Sequence, residues 1–174
     1  MNKANDWNGD LSDFLKAYRY QRELTEQLDA LGPQPFGQAV INEIVLWKVN
    51  RYAPLGQPAF EALNSIVGLQ PGSHKSAREV IEVLLHERGV DLPMASTFLR
   101  FRNPNTFQII DRHAYRAVTG NDYPLYSKSK TETKIELYLL YLDQLVELAR
   151  TKNLEFHTLD RVLYLFDKQI NGEL

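Results

Sequence analysis

Residues 87–120 read ERGVDLPMASTFLRFRNPNTFQIIDRHAYRAVTG, and the fold turns on how this stretch divides. Arg88-Gly89-Val90-Asp91 is long enough only for a tight turn between two helices, and Gly89 supplies the positive φ that such a turn uses. Asp91 is the natural N-cap of the second helix, Leu92 to Phe101, with Pro93 in a first turn where a missing N–H costs nothing. Asn103-Pro104-Asn105 stops that helix. Phe107-Gln108-Ile109-Ile110 is an extended apolar run too short for a sheet of its own, and it delivers the chain to Asp111, where another helix, Arg112 to Val118, begins and runs to Gly120.

Outward from this centre the chain is a succession of helices. Upstream, Leu11, Phe14, Leu15 and Tyr18 lie at helical spacing until Gly32-Pro33. A second helix is predicted from Phe36 to Asn50, a short third one opens at Pro58 and stops at Gly68, and a fourth runs from Lys75 to Glu87. Downstream, the capping pattern Ser129-x-x-Glu132 predicts a long helix to Arg150, with Ile135, Leu139, Leu142, Leu145 and Val146 as its apolar stripe. Thr158 caps a last helix to Ile170, with Leu159, Val162, Leu163 and Phe166 inward and Asp160, Arg161 and Asp167 outward. Tyr138, Tyr141 and Tyr164 read as half-buried packing residues. The prediction is an all-α fold in a single domain spanning 1–174, with an N-terminal helix in 1–35, a hairpin-containing core in 36–120 and C-terminal helices in 121–174.

The chain has 174 residues, 44% of them hydrophobic and 24% charged, which is ordinary for a folded domain. It has no cysteine, which excludes thiolate catalysis, disulfides and Cys-ligated zinc or iron–sulfur centres. No apolar window supports a signal peptide or a membrane span, so a cytoplasmic location is the default expectation. Net charge is −2, but residues 72–134 carry ten basic against seven acidic side chains. Arg100, Arg102, Arg112, Arg116, Lys128, Lys130 and Lys134 form either one basic face for phosphates or an ordinary solvated surface.

Two elements carry chemistry. The hairpin turn ends in backbone N–H groups at a helix start, suited to a phosphate, and is otherwise a plain αα-hairpin. Asp111, fixed between an extended run and a helix, is either an N-cap alone or a carboxylate held ionised to stabilise positive charge on a reacting sugar. Trp47, Tyr52, Phe98 and Tyr115 are the aromatic candidates for stacking a base, and each reads equally as core. His113, two positions after Asp111, reads as a structural histidine, and the scattered His74, His86 and His157 offer no i, i+4 pair for a metal.

Together, ERGVDLPMA and IDRHAYR resemble the helix-hairpin-helix base-excision DNA glycosylases, whose signature is L-P-G-V-G-x-K-T-A followed by V-D-T-H-x-x-R. With Gly89, Val90 and Ala95 on the hairpin letters, Asp111, His113 and Arg116 fall on the D, H and R without a gap. The resemblance covers residues 80–120 and, more loosely, the helical order from Phe36 onward. It implies the 8-oxoguanine glycosylase-like fold, Asp111 as the catalytic aspartate, and Arg88, Gly89, Val90, Asp91, Arg112, His113 and Arg116 along a DNA backbone. Pro93 stands where bifunctional members carry a Schiff-base lysine, so the implied enzyme is monofunctional and has no lyase step. Arg88 replaces the hairpin proline and Asp91 the second glycine, setting a carboxylate beside the expected phosphate with Arg88 as the available compensation. No cofactor or metal is implied. The expected partner is duplex DNA, and the competing expectation is an inactive module that has kept the hairpin to bind nucleic acid or protein.

Overall fold

Every regular element is a helix among the residues that the computed structural model describes, 21–31, 35–49 and 53–172. The all-α expectation therefore holds, and the run Phe107–Ile110 stays extended without pairing into a strand. The chain divides between residues 52 and 53 into two compact units. In the first, α1 (Arg22–Asp29) and α2 (Gln38–Lys48) are tied by Trp47 Nε1, which donates to Thr25 Oγ1 at 2.9 Å, and by Gln21 Nε2, which donates to the Trp47 carbonyl at 3.0 Å. The predicted helical positions Leu11 to Tyr18 and the Gly32-Pro33 stop lie outside the described residues.

The second unit, from Ala53 onward, holds α3 (Gln57–Ser65), α4 (Arg78–His86), α5 (Leu92–Arg102), α6 (Arg112–Thr119), α7 (Thr131–Lys152) and α8 (Leu159–Ile170). Its boundaries follow local chemistry. Asp91 and Asp111 cap α5 and α6 with their side chains, and Gly120, at φ 71°, ends α6 with its N–H on the Arg116 carbonyl. Ile81 and Leu84 of α4, Leu92, Ala95 and Leu99 of α5, Phe107, Ile110, and Ile135, Leu139, Leu142 and Leu145 of α7 share one buried core. Each large aliphatic side chain buried there contributes roughly 2 kcal/mol.

Three readings are corrected. Tyr138 and Tyr141 are fully buried, because their hydroxyls find backbone acceptors inside. Ser129 does not cap α7: its Oγ accepts from Tyr126 N at 3.1 Å, and the helix starts at Thr131 with no side-chain cap. The last helix is rotated from its predicted phase. Leu159, Asp160, Leu163 and Asp167 face inward, while Val162 and Phe166 are 41% and 47% exposed. Hydrophobicity alone assigned the face wrongly because the buried Arg100 awaits Asp160 and the half-buried Arg116 awaits Asp167.

Candidate active site

The hairpin forms as the sequence requires. After α4 the chain turns through Gly89 at φ 80°, with Val90 N–H on the Glu87 carbonyl at 3.1 Å. Asp91 Oδ1 accepts from Leu92 N at 2.8 Å. The cation that answers Asp91 is Lys134 of α7 rather than Arg88: its Nζ sits 2.7 Å from Asp91 Oδ1 and donates to the Ser127 carbonyl at 2.9 Å. Arg88 points to solvent. The carboxylate beside the turn is therefore neutralised from below, and Lys134 leaves the basic face on which the sequence placed it.

Asp111 is positioned by the polypeptide on both sides. Behind it, Tyr138 Oη donates to the Gln108 carbonyl at 2.8 Å, Tyr141 Oη donates to the Ile109 carbonyl at 3.0 Å, and Ile110 N donates to Ser96 Oγ at 3.2 Å. The Gln108 side chain, itself buried, donates to the Pro104 carbonyl and accepts from Asp160 N. These bonds satisfy an extended segment that has no strand partner. Burial raises both tyrosine hydroxyls above their ordinary pKa, so they remain neutral donors. Ahead, Asp111 Oδ1 accepts from Ala114 N at 2.7 Å. Its Oδ2 has no hydrogen-bond partner among the described residues.

His113 and Arg116, on the same helix, turn inward. His113 Nδ1 lies 2.7 Å from Asp167 Oδ2, and Arg116 donates to both Asp167 oxygens and to the Gly172 carbonyl. Asn171 Nδ2 adds a bond to Asp167 Oδ1 at 2.7 Å. Asp167 is 0% exposed, and the guanidinium of Arg116, followed by the Asn171 and His113 bonds, holds its carboxyl well below the usual range despite that burial. An acceptor-only carboxylate fixes the imidazole proton on Nδ1. These two members of the motif thus dock α6 on α8, and their polar ends are already engaged.

Arg100 also leaves the basic face. It is buried, with Nε in an ion pair 3.2 Å from Asp160 Oδ2 and Nη2 donating to the His157 carbonyl. Arg102 donates to Asn64 Oδ1 at 2.9 Å. Arg112, Lys128 and Lys130 remain exposed.

Asp111 opens onto a pocket of about 220 Å³ lined by Ile109, Asp160, Arg161, Tyr164 and Leu165. That volume is on the scale of one nucleobase rather than a drug-sized ligand. Tyr164 forms an aromatic wall whose ring is held edge-on by His113 at 5.0 Å. Asp160 is occupied by Arg100 and by the Arg161 N–H, so the carboxylate of this pocket with an unengaged oxygen is Asp111.

Of the four proposed stacking aromatics, Phe98 and Tyr115 belong to the same unit as this pocket and do not line it. Tyr52 lies outside the described residues, and Trp47 belongs to the first unit. Phe98 packs against the core. Tyr115 stacks on Tyr141 and meets Tyr123 edge-on, lining a separate groove of about 600 Å³ whose charges pair with one another, Lys75 with Asp143 and Arg78 with Glu136. Sequence reading missed Asp160, Arg161, Tyr164 and Asp167 as partners of the motif. The signal was present: Asp160, Leu163 and Asp167 fall at i, i+3 and i+7, which is one helical face.

Among the described residues no cluster of three His, Asp or Glu side chains could hold a metal ion, and no helix is long and apolar enough to cross a membrane. No protein-family model, curated protein or solved structure matches the chain.

Proposed function

We propose that this chain is a monofunctional DNA glycosylase of the helix-hairpin-helix kind, with Asp111 as its essential carboxylate. One observation carries the reading: Asp111 is clamped at the start of α6 by its own backbone neighbours, keeps one oxygen unengaged, and faces a base-sized pocket walled by Tyr164. As the C1′–N bond of a flipped nucleotide breaks, its electron pair leaves with the base and positive charge develops on the sugar. A carboxylate already oriented and still charged stabilises that charge without reorganising. Water then adds through oxygen to C1′, its proton passes to the carboxylate, and the departing base takes up a proton from solvent. Pro93 offers no amine, so the reaction ends at the abasic sugar.

A second reading, a non-catalytic binding module, draws on the internal engagement of Arg100, Arg116, His113 and Lys134, which leaves fewer cations for phosphate. One experiment separates the two. Binding is compared between an undamaged duplex and one carrying a cationic abasic-site analogue, for the wild type and Asp111→Asn. The enzyme reading expects a strong preference for the cationic analogue that disappears in the variant. Equal binding of both duplexes by the wild type refutes it.

A further inference from the structure

Of the large apolar side chains that reach solvent among the described residues, Tyr126 is the most exposed, at 70%. It sits in the connection between α6 and α7, residues 120–130, and that connection is built rather than slack. Tyr126 N donates to Ser129 Oγ at 3.1 Å and Ser129 N donates to the Tyr126 carbonyl at 2.9 Å, closing a reciprocal turn at the tyrosine backbone. One residue on, the Ser127 carbonyl accepts from Lys134 Nζ, the ammonium that also holds Asp91. The loop is therefore tied to the hairpin through one buried cation.

That tie also sets the charge of the surface. With Asp91 neutralised by Lys134, the exposed cations Arg88 on the turn, Arg112 at the start of α6, and Lys128 and Lys130 beside Tyr126 have no carboxylate within ion-pair distance among the described residues. Asp122 is the acidic side chain within the loop itself. An exposed aromatic ring on a hydrogen-bonded turn, followed at once by the unpaired Lys128 and Lys130, matches a nucleic acid, which offers both a π-face and phosphates.

We propose that the loop around Tyr126 is a DNA-contacting element, with the tyrosine ring packing on an unstacked base or sugar and Lys128 and Lys130 on the flanking phosphates. The proposal rests on the reading of this chain as a DNA-binding protein, and it uses residues separate from the Asp111 pocket.

The test titrates full-length wild type, Tyr126→Ala and Lys128→Glu/Lys130→Glu against the undamaged duplex and the cationic abasic-site duplex, each over a range of salt. Circular dichroism checks that both surface variants are folded. The expected result is a roughly tenfold loss of affinity in Tyr126→Ala with an unchanged salt slope. The double variant should lose about two units of slope. Both should keep the wild-type ratio between the two duplexes. Wild-type affinity and slope in both variants overturn the loop proposal and leave the role of Asp111 standing. Loss of affinity in the variants without any preference for the cationic duplex in the wild type sustains the loop and overturns the glycosylase. Competition by polyglutamate as effective as that by DNA at equal charge overturns the nucleic-acid partner.

Discussion

Asp91 and Asp111 occupy the same kind of position and meet different fates. Each is an N-cap in extended backbone, at φ −114° and −131°, and each accepts a hydrogen bond from the first turn of its helix. At Asp91 the long helix α7 brings Lys134 to within 2.7 Å, and the carboxylate becomes a structural ion pair. At Asp111 the neighbouring donors His113 and Arg116 are drawn to Asp167, and the carboxylate keeps an oxygen facing a pocket. A cap position thus says nothing about whether its carboxylate is left with an open oxygen. The counter-ions decide, and they come from distant helices.

The strongest way to break this contrast is to remove the residue that keeps the cations away. Asp167→Ala leaves Arg116, His113 and Asn171 without their shared acceptor at a fully enclosed position, and we expect a loss of about 3 kcal/mol. A thermal melt checks it, and an unchanged Tm shows that α6 and α8 are held by apolar packing alone. The same residue predicts acid sensitivity. Its carboxyl is depressed below the ordinary value of 3.8, so its contribution is complete above that value and lost as pH falls below it toward the folded-state pKa. His74 acts earlier. Burial lowers its pKa below the ordinary 6.5 despite Asp143 at 3.1 Å, so the folded state holds it neutral and loses stability as pH drops below 6.5. Stability measured from pH 8 to 3 should decline in these two stages, and Asp167→Ala should flatten only the lower one.

Next in size is Gly89→Val. A β-branched residue held at φ 80° costs about 2 kcal/mol, measurable by denaturant titration, and no effect at all means the turn relaxes to ordinary φ. Lys134→Met comes third. Because Asp91 is partly exposed, solvent shares its charge, and we expect about 1 kcal/mol. The double variant Lys134→Met/Asp91→Asn should recover part of it. Lack of any coupling in that cycle would remove the ion pair from the account.

What the sequence disclosed and what it withheld divide along the same line. The hairpin, the stop at Asn103-Pro104, the cap at Asp111 and the terminator Gly120 are local devices, fixed by residues within one turn of each other, and they are found where the pattern placed them. The Ser129 cap failed because its Oγ had a competing local donor, Tyr126 N. The phase of α8 failed for a longer-range reason: Asp160 and Asp167 read as solvent-facing until Arg100, His113 and Arg116, many residues upstream, are placed against them. Arg161 and Tyr164 stood apart from the site for the same reason, since only the docking of α8 on α6 brings them to the pocket that Asp111 lines.

The finest test uses a matched pair of substitutions with almost no structural effect. Asparagine caps nearly as well as aspartate, so Asp91→Asn and Asp111→Asn should each change stability by less than about 1 kcal/mol, with the larger cost at Asp91, where Lys134 loses its counter-ion. Function should reverse the order. Asp111→Asn keeps the bond to Ala114 N through its amide oxygen but presents no charge to the pocket, so discrimination for a cationic abasic analogue should vanish. Asp91→Asn removes a charge that Lys134 already cancels, and discrimination should remain at the wild-type level. If both variants discriminate alike, the two caps are equivalent, and the open oxygen of Asp111 has no chemical consequence.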